Sequence, residues 1–463
     1  MEDVGFGLCR IRDPGILVRG GGNPRAMHDL TAQQASRRMR RWIMIVVITL
    51  LIAVGAFAVF RIIAHQRVAS RLAHIRAAGY PTTSEELNAW YPEPEGENAA
   101  DVYQRAFAEY ALDTESHPSI PFIDPAAEVP ALGEPLPQRT EAPVRHFLAL
   151  NAEAIRLLEQ AASIDESRFP VDYKKGLEWE NPALGPLRQG ARLLLLESAF
   201  NPGRAGTNIK IVLAMARSLE REPSLIAALV SISLNAVALE MIERAIAFDA
   251  IEDIDLVAVA HDLSRIDQQM MLHRALIGER ALGVSVIAQT LTGRPSVARL
   301  WRGSGLFDLD RAAFLDILER HIDHLVRSDV QALATNALLE EVPRAFFLTQ
   351  ILTPALDRAL ITGVRLDASI RATLAGLAVH RYRRDRDEFP QSLDACVPVY
   401  LDAVPIDPFA ERTLRYRALE REALIYSVGK DGVDNNGART NGIVSGDPDT
   451  DIVFIVQRLS SQN

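Results

Sequence analysis

The residues best suited to chemistry lie near the C-terminal end of this 463-residue chain. The run Asp431-Gly432-Val433-Asp434-Asn435-Asn436-Gly437 offers several oxygen donors within one turn, and Asp447, Asp449 and Asp451 return more of them. Calcium is a hard cation that collects about six to eight oxygens from carboxylates, carbonyls and water, so this composition suits it. The spacing is not that of an EF-hand: acids fall at the first and fourth positions, and no Glu closes a loop of about twelve residues. The same residues also make a solvated turn that needs no metal, because Asp and Asn side chains bond their own backbone two residues on. Both readings stand at this point.

Elsewhere the chemistry thins out. His321 and His324 are three residues apart and share a helix face. Zinc would need a further ligand from another part of the chain, and a surface helix accounts for the pair without one. His380, just before Arg381, reads as the polar edge of its helix. Trp90, Tyr91, Trp179 and Trp301 are aromatic enough to line a ligand groove, but anchoring packed helices is the expected job. Of the two cysteines, Cys396 reads as a small buried hydrophobe. No apolar run precedes Cys9, which argues against a lipoprotein. No Gly-x-Ser-x-Gly, His-Glu-x-x-His, phosphate-binding or dinucleotide-binding fingerprint occurs, so no catalytic residue is assigned and a non-enzyme is favoured. A net charge of −10 argues against a general nucleic-acid binder, which needs a basic face to displace counterions.

The elements that would position these residues begin with a membrane segment. From Trp42 to Phe60 no residue is charged, and Ile62 and Ile63 extend the run past Arg61. At about 1.5 Å rise per residue this spans about 28 Å, close to the hydrocarbon thickness of a bilayer. Contact with lipid is therefore expected through residues 42–63. Arg37, Arg38, Arg40 and Arg41 stand before the span and favour a cytoplasmic N-terminus. Arg61, Arg67, Arg71 and Arg76 follow it and nearly balance the count, although long downstream domains cross largely regardless of charge. Cys9 and Cys396 then lie on opposite sides and cannot pair.

Five regions follow from the pattern: a tail over residues 1–36 expected to be disordered, a signal anchor over 37–64, and membrane-proximal helices with a proline-rich connection over 65–143. An α-helical body covers 144–360 and a small α+β domain 361–463. The motif Pro81 to Leu87 supplies a turn and a helix N-cap, and Tyr91 to Gly96 a break. Helices are expected over Ala99–Ala111, Val144–Ile164, Leu187–Phe200, Asn208–Glu220, Ser224–Phe248, Asp253–Ser264, Arg311–Arg327, Glu340–Thr349 and Leu366–Arg384. In the longest of these, Leu225, Leu229, Ile232, Ala236, Leu239, Ile242 and Ile246 fall on one face. Short connections suggest antiparallel neighbours, as an irregular bundle or an array of α-hairpins without a fixed repeat. Leu414–Ala418, Ala423–Val428 and Ile452–Val456 read as strands, the first two joined by a hairpin at Arg421-Glu422.

The order of pieces at the end of the chain carries a resemblance. After the helix come Phe389-Pro390, then Val397-Pro398-Val399-Tyr400-Leu401, Pro405-Ile406-Asp407-Pro408-Phe409, Tyr426-Ser427-Val428-Gly429-Lys430-Asp431-Gly432, a polar loop and Asp451-Ile452. This resembles the C-terminal globular domain of type II secretion major pseudopilins, over about Leu366 to Phe454. The resemblance implies a small antiparallel sheet and a calcium ion in the last loop. By motif match, Asp431 takes the place of a ligand carboxylate and Val428 that of a carbonyl donor, with Asp434, Asp449 and Asp451 as further candidates. The chain departs from the family where it matters for assembly: no leader, Phe and Glu of a polymerising helix precede Leu366, and Asp387-Glu388 replaces the usual Gly before Phe389-Pro390. A head domain is implied, not a filament subunit. The whole layout looks similar to membrane-anchored bacterial envelope proteins of no assigned activity. The functional expectation is a membrane-tethered interaction or structural protein of the cell envelope with an envelope protein as partner and a calcium-stiffened head. The alternatives are an envelope hydrolase with its site between helices, or an accessory of a type II secretion or pilus-like machine.

Overall fold

A computed structural model describes residues 24–111, 120–290, 303–327, 346–438 and 450–457. They are mainly helical, with twelve α-helices, a small antiparallel sheet near the C-terminus and an apolar helix near the N-terminus. The chain divides into two compact units, residues 1–63 and residues 64–463. In the first, helix α1 (Pro24–Ala77) carries the uncharged run, and none of its most apolar eighteen-residue window is buried. Trp42, Leu50 and Ile52 stay more than 60% exposed. That helix is long and apolar enough to cross a membrane. Cys9 lies outside the described residues.

In the second unit, α2 (Ser84–Trp90) starts at Thr83, whose side chain accepts from the Glu86 amide, while Glu86 accepts in return from the Thr82 amide. This cap is the one the sequence signals. Next come α3 (Ala99–Ala108), α4 (Glu141–Leu150) and α5 (Ala152–Ala162). The single helix expected over Val144–Ile164 is thus two. Asn151 divides them: its buried side-chain amide donates to the carbonyls of Ala111 and Phe147 and accepts from the Ala111 amide. An Asn with such local backbone partners competes with helix propagation.

Helices α6 (Leu184–Phe200), α7 (Ala205–Arg217), α8 (Leu225–Ala247) and α9 (Asp253–Ser264) lie within a few residues of expectation. Helix α8 is the centre of the body, packing against α6, α7 and α10 and against elements from the C-terminal region. It is buried well beyond the one face its pattern shows, with Ala227, Leu234, Ala238 and Met241 enclosed as well as Leu239 and Ile242.

Helix α10 (Gln268–Thr290) has no counterpart in the sequence reading. Two glycines obscure it, and both are needed. A Cβ on Gly278 would collide with the Pro223 carbonyl oxygen, and one on Gly283 would stand 2.6 Å from the Phe314 ring. Helix α11 (Leu306–Val326) follows, then α12 (Phe347–Arg386), which begins well before the Leu366 expected for it, while most of the helix expected over Glu340–Thr349 lies outside the described residues. Pro354 lies inside α12, yet Leu356, Ala359, Leu360, Leu366 and Ile370 anchor it in the main core. That burial outweighs the backbone bond a proline removes, at a cost of about 3 kcal/mol.

The boundary expected at 361 falls within α12. Past it, β1 (Ile406–Asp407) and β2 (Arg412–Thr413) form a two-residue ladder, and β3 (Arg415–Ala418), β4 (Glu422–Ser427) and β5 (Ile452–Gln457) form an antiparallel sheet in the order 3-4-5. Ala423, Ile425, Phe454 and Val456 point into the same core as the helices, while Leu424, Tyr426 and Val453 form a second cluster on the other side. The alternation is the period of two that a strand imposes. Glu243 of α8 accepts from the Ile455 amide on the open edge of β5 at 2.8 Å, so a helix covers that edge.

Candidate functional site

The Asp-rich loop is shaped by its own backbone. Asp431 Oδ1 accepts from the Val433 amide (3.1 Å), and Asp434 Oδ1 accepts from the Asn436 amide (2.9 Å) and from the Tyr426 hydroxyl (3.1 Å). Asp451, at the entry to β5, accepts from the Asn435 and Gly437 amides (3.3 and 2.7 Å) and so ties the loop to the sheet. Burial pushes the Asp451 carboxyl up from its ordinary value, and the nearby charges of Asp434 and Asp431 add to the rise. Asp431 and Asp434 each serve as an Asx-type acceptor for the amide two residues on, whereas Asp451 reaches across from the start of β5. Val428 sits at the exit of β4, its amide donating to Asp407. Asp449 and Asp447 lie outside the described residues. Among the described residues no group of three or more His, Cys, Asp or Glu side chains is placed to hold a metal ion.

Asp407, from the Pro-Ile-Asp-Pro stretch, is a buried keystone. Its Oδ1 accepts from the Ser427 hydroxyl (2.7 Å) and the Phe409 amide (2.9 Å), and its Oδ2 from the Val428 amide (3.0 Å). One carboxylate thereby joins β1 to the end of β4.

Two buried polar clusters in the helical body were not read from the sequence. Glu222, just ahead of α8, accepts from Asn181 Nδ2 (2.6 Å) and from the hydroxyls of Tyr173 and Ser224 (each 3.3 Å). Burial pushes its carboxyl up to about 7, against the pull of those three donors. Glu279 of α10 accepts from the Leu225 amide at the same helix start, and burial raises it too. The second cluster is His321, enclosed at 1% exposure. Its Nδ1 donates to the Ile317 carbonyl (2.8 Å), and one proton lies between Nε2 and Asp357 Oδ1 (2.7 Å). The surface helix expected for His321 is thus corrected, because the packing of α12 covers that face. His380 is likewise fully buried, with Nε2 3.6 Å from Asp249. With both His321 nitrogens occupied inside the core, this pair clamps α11 to α12 and has no face for a substrate.

The aromatic residues pack as anchors. Trp90 meets Tyr80 edge-on and lies under the Arg274 guanidinium, and Tyr173 sits between Tyr91 and Trp179. Trp301 lies outside the described residues. Cys396 is fully buried, and burial pushes its thiol up to about 11, away from the reactive range.

A cavity of about 550 Å³ lies between the α9–α10 turn, the last turns of α11 and the middle of α12. His324, Asp267 and Asp367 line it, a set that invites a catalytic reading. The carboxylates are already employed. Asp367 holds Arg371 through two bonds (3.0 and 2.8 Å), and Arg371 also donates to the Ile406 carbonyl (2.8 Å). Asp267 caps α10 by accepting from the Met270 amide (2.9 Å). Gln268 differs. It is only 7% exposed, and among the described residues neither its Oε1 nor its Nε2, both shielded from solvent, has a hydrogen-bond partner. Comparison with known proteins finds no matching family, no matching curated protein and no matching solved structure.

Proposed function

We propose that this protein is a single-pass, membrane-tethered binding module of the cell envelope, with a cytoplasmic N-terminus and its large unit outside. The observation that carries the reading is the bare apolar stretch of α1, none of whose most apolar window is buried against protein. So long an uncovered stretch is soluble only in lipid. The arginines at 37, 38, 40 and 41 support the orientation. In the C-terminal region, the helix followed by a β3-β4-β5 sheet and an Asp-rich loop supports a pseudopilin-like head. Calcium in that loop, held by Asp431, Asp434 and Asp451 with the Val428 carbonyl and Asp449, belongs to the same proposal. A binding role is favoured over a hydrolase because the carboxylates facing the cavity beside the α9–α10 turn are tied up in a salt bridge and a helix cap.

Cell fractionation tests the reading. The intact chain is expected in the membrane pellet after alkaline carbonate extraction, and protease added to spheroplasts should digest everything beyond residue 64. Recovery of the whole chain in the soluble fraction would overturn the tether, and full protection from protease would overturn the orientation. For the metal, chelation of the full chain is expected to lower the melting temperature, with calcium restoring it and magnesium failing to do so. An unchanged melt would leave the loop as a plain turn.

A further inference from the structure

We propose that a cavity on the last turns of α1, just past the apolar run, holds the phosphate of an anionic phospholipid headgroup. Such a lipid would seat the tether proposed above, on whose reading this rests. From Ala64 onward α1 belongs to the second unit, and there it lines a cavity of about 510 Å³, a size usual for small-ligand sites. Arg67, Ser70, Arg71 and His74 line it at offsets of three, four and seven residues, which place all four on one face of the helix. The wall is built before any ligand arrives. Val68 and Ile75 join Val284 of α10 and Ala312 and Leu315 of α11 in a small buried cluster, and Arg71 pairs with Asp316.

The lining favours a phosphate. Glu319 is the one carboxylate among the described residues on the wall, and Arg280 Nη1 donates to it at 2.9 Å. With Glu319 answered by Arg280 and Arg71 by Asp316, Arg67 is the cation left over. It is exposed, and among the described residues it makes no hydrogen bond or salt bridge. A guanidinium matches phosphate oxygens in charge and geometry, and the exposed Ser70 hydroxyl and His74 ring add further donors. None of the described lining residues is Phe, Tyr or Trp, so the choline of a zwitterionic headgroup has no such ring to rest on. Position along the chain supplies the lipid. Arg67 stands four residues past Ile63, and so within about 14 Å of the apolar run whatever path the chain takes. The headgroup layer on each side of a bilayer is about 5–7 Å deep, so Arg67 is kept at or just beyond the lipid phosphates. Basic groups at that depth attract anionic lipids.

The test is calorimetric titration of the full chain, in an uncharged maltoside detergent at low salt, with dihexanoyl-phosphatidylglycerol. Dihexanoyl-phosphatidylcholine, glycerol phosphate and inorganic phosphate are the comparisons. Wild type is expected to bind the phosphatidylglycerol about tenfold more tightly than any of the three. Arg67→Gln should weaken that binding about fivefold, the share of one interfacial arginine. Ser70→Trp should weaken it at least as much, because it fills the cavity without changing the charge. Both positions are exposed, so both variants should melt with wild type. Arg40→Gln combined with Arg41→Gln removes more charge, but on the other side of the apolar run, and should leave the affinity unchanged. Equal binding of phosphatidylcholine overturns the inference, as does a loss in the Arg40 and Arg41 variant that matches Arg67→Gln, which would mean attraction by charge at large. Inorganic or glycerol phosphate binding as tightly as the lipid would assign the cavity to a soluble phosphate and overturn the lipid. The titration reads binding whatever the cellular location, so a failed tether shows in fractionation and a failed headgroup site shows here.

Discussion

Helices α1 and α8 are both apolar enough to cross a bilayer, yet only one is left bare. In α1 the most apolar window has no residue buried, whereas in α8 two-thirds of the corresponding window is enclosed by protein. Composition does not separate them; polar punctuation does. Between Trp42 and Phe60 the only hydroxyl is Thr49. Helix α8 carries Ser231, Asn235 and Glu243, all buried and all bonded: Ser231 to the Ala216 carbonyl, Asn235 to the Ser231 carbonyl and Glu243 to the Ile455 amide. Its first turn is met by Ser224 and Glu279. Buried polar side chains whose bonds reach neighbouring elements, as those of Ser231 and Glu243 do, mark a core helix, and the bare run of α1 has no buried polar side chain.

The largest effect should come from placing one charge in each helix. Leu239 is fully buried, and Leu239→Arg would leave an unpaired guanidinium in the core. A cost above about 5 kcal/mol is expected, comparable to the whole stability of a domain, so the body should lose its cooperative melt. Ile48→Arg should leave that melt intact, since Ile48 is exposed and belongs to no core cluster, and should cost about 3 kcal/mol in membrane insertion. Circular dichroism and carbonate extraction separate the two outcomes. Equal loss of fold in both variants would break the comparison.

Next in size is the pH dependence at the start of α8. Glu222 is raised in the folded protein to about 7 from an ordinary 4.5. A carboxyl raised on folding contributes stability that is fully present below about pH 4.5 and is lost as pH climbs through 7. On the order of 3 kcal/mol is at stake, at about 1.4 kcal/mol per pH unit of displacement. Glu279 is raised as well and acts in the same direction. Denaturant melts from pH 4.5 to 8.5 should therefore show wild type weakening, with the slope reduced in Glu222→Gln. A wild type that strengthens towards alkaline pH would exclude the role of Glu222.

How much of this was legible depended on how local the cause was. The Thr83 and Ser224 caps, the break at Tyr91 and the bounds of α9 are written in adjacent residues, and the structure places them there. The strands and their hairpin followed from alternation, with Ala418 paired to Ala423 across the turn. Helix α10 holds Gly278 and Gly283, residues that weaken a helix and whose place is explained only by Pro223 and Phe314 packed against them. The cavity was more hidden still. It is bounded by residues of α11 and α12, which come from far along the chain from the α9–α10 turn. His321 looked like a surface residue for the same reason, since Asp357 is 36 residues away.

A smaller effect is expected where α8 meets the sheet. Glu243→Ala would leave the Ile455 amide without its 2.8 Å partner on a buried strand edge. An orphaned buried donor costs about 1–3 kcal/mol, and removing the carboxylate from its enclosed position returns part of that, so about 2 kcal/mol is expected. Hydrogen exchange at Ile455 should accelerate more than at Ile425 in the central strand, which keeps its ladder on both sides. Uniform acceleration across β3, β4 and β5 would mean that the helix and the sheet open as one unit.

The smallest effect comes from the cap itself. The Ser224 hydroxyl accepts from the Ala227 amide at 3.2 Å and donates to Glu222 at 3.3 Å, so Ser224→Ala removes two bonds that are both long. A lost N-cap costs about 1 kcal/mol, and the weakened hold on Glu222 should push its carboxyl further up. The deficit should therefore widen with rising pH, because the ionised Glu222 loses more than the neutral acid does. At pH 5 the cap alone is felt; at pH 8 both losses are. A deficit that stays constant across that range would show that Ser224 serves the helix end and not the carboxylate, and α8 would then be buried by packing with no help from the acid at its start.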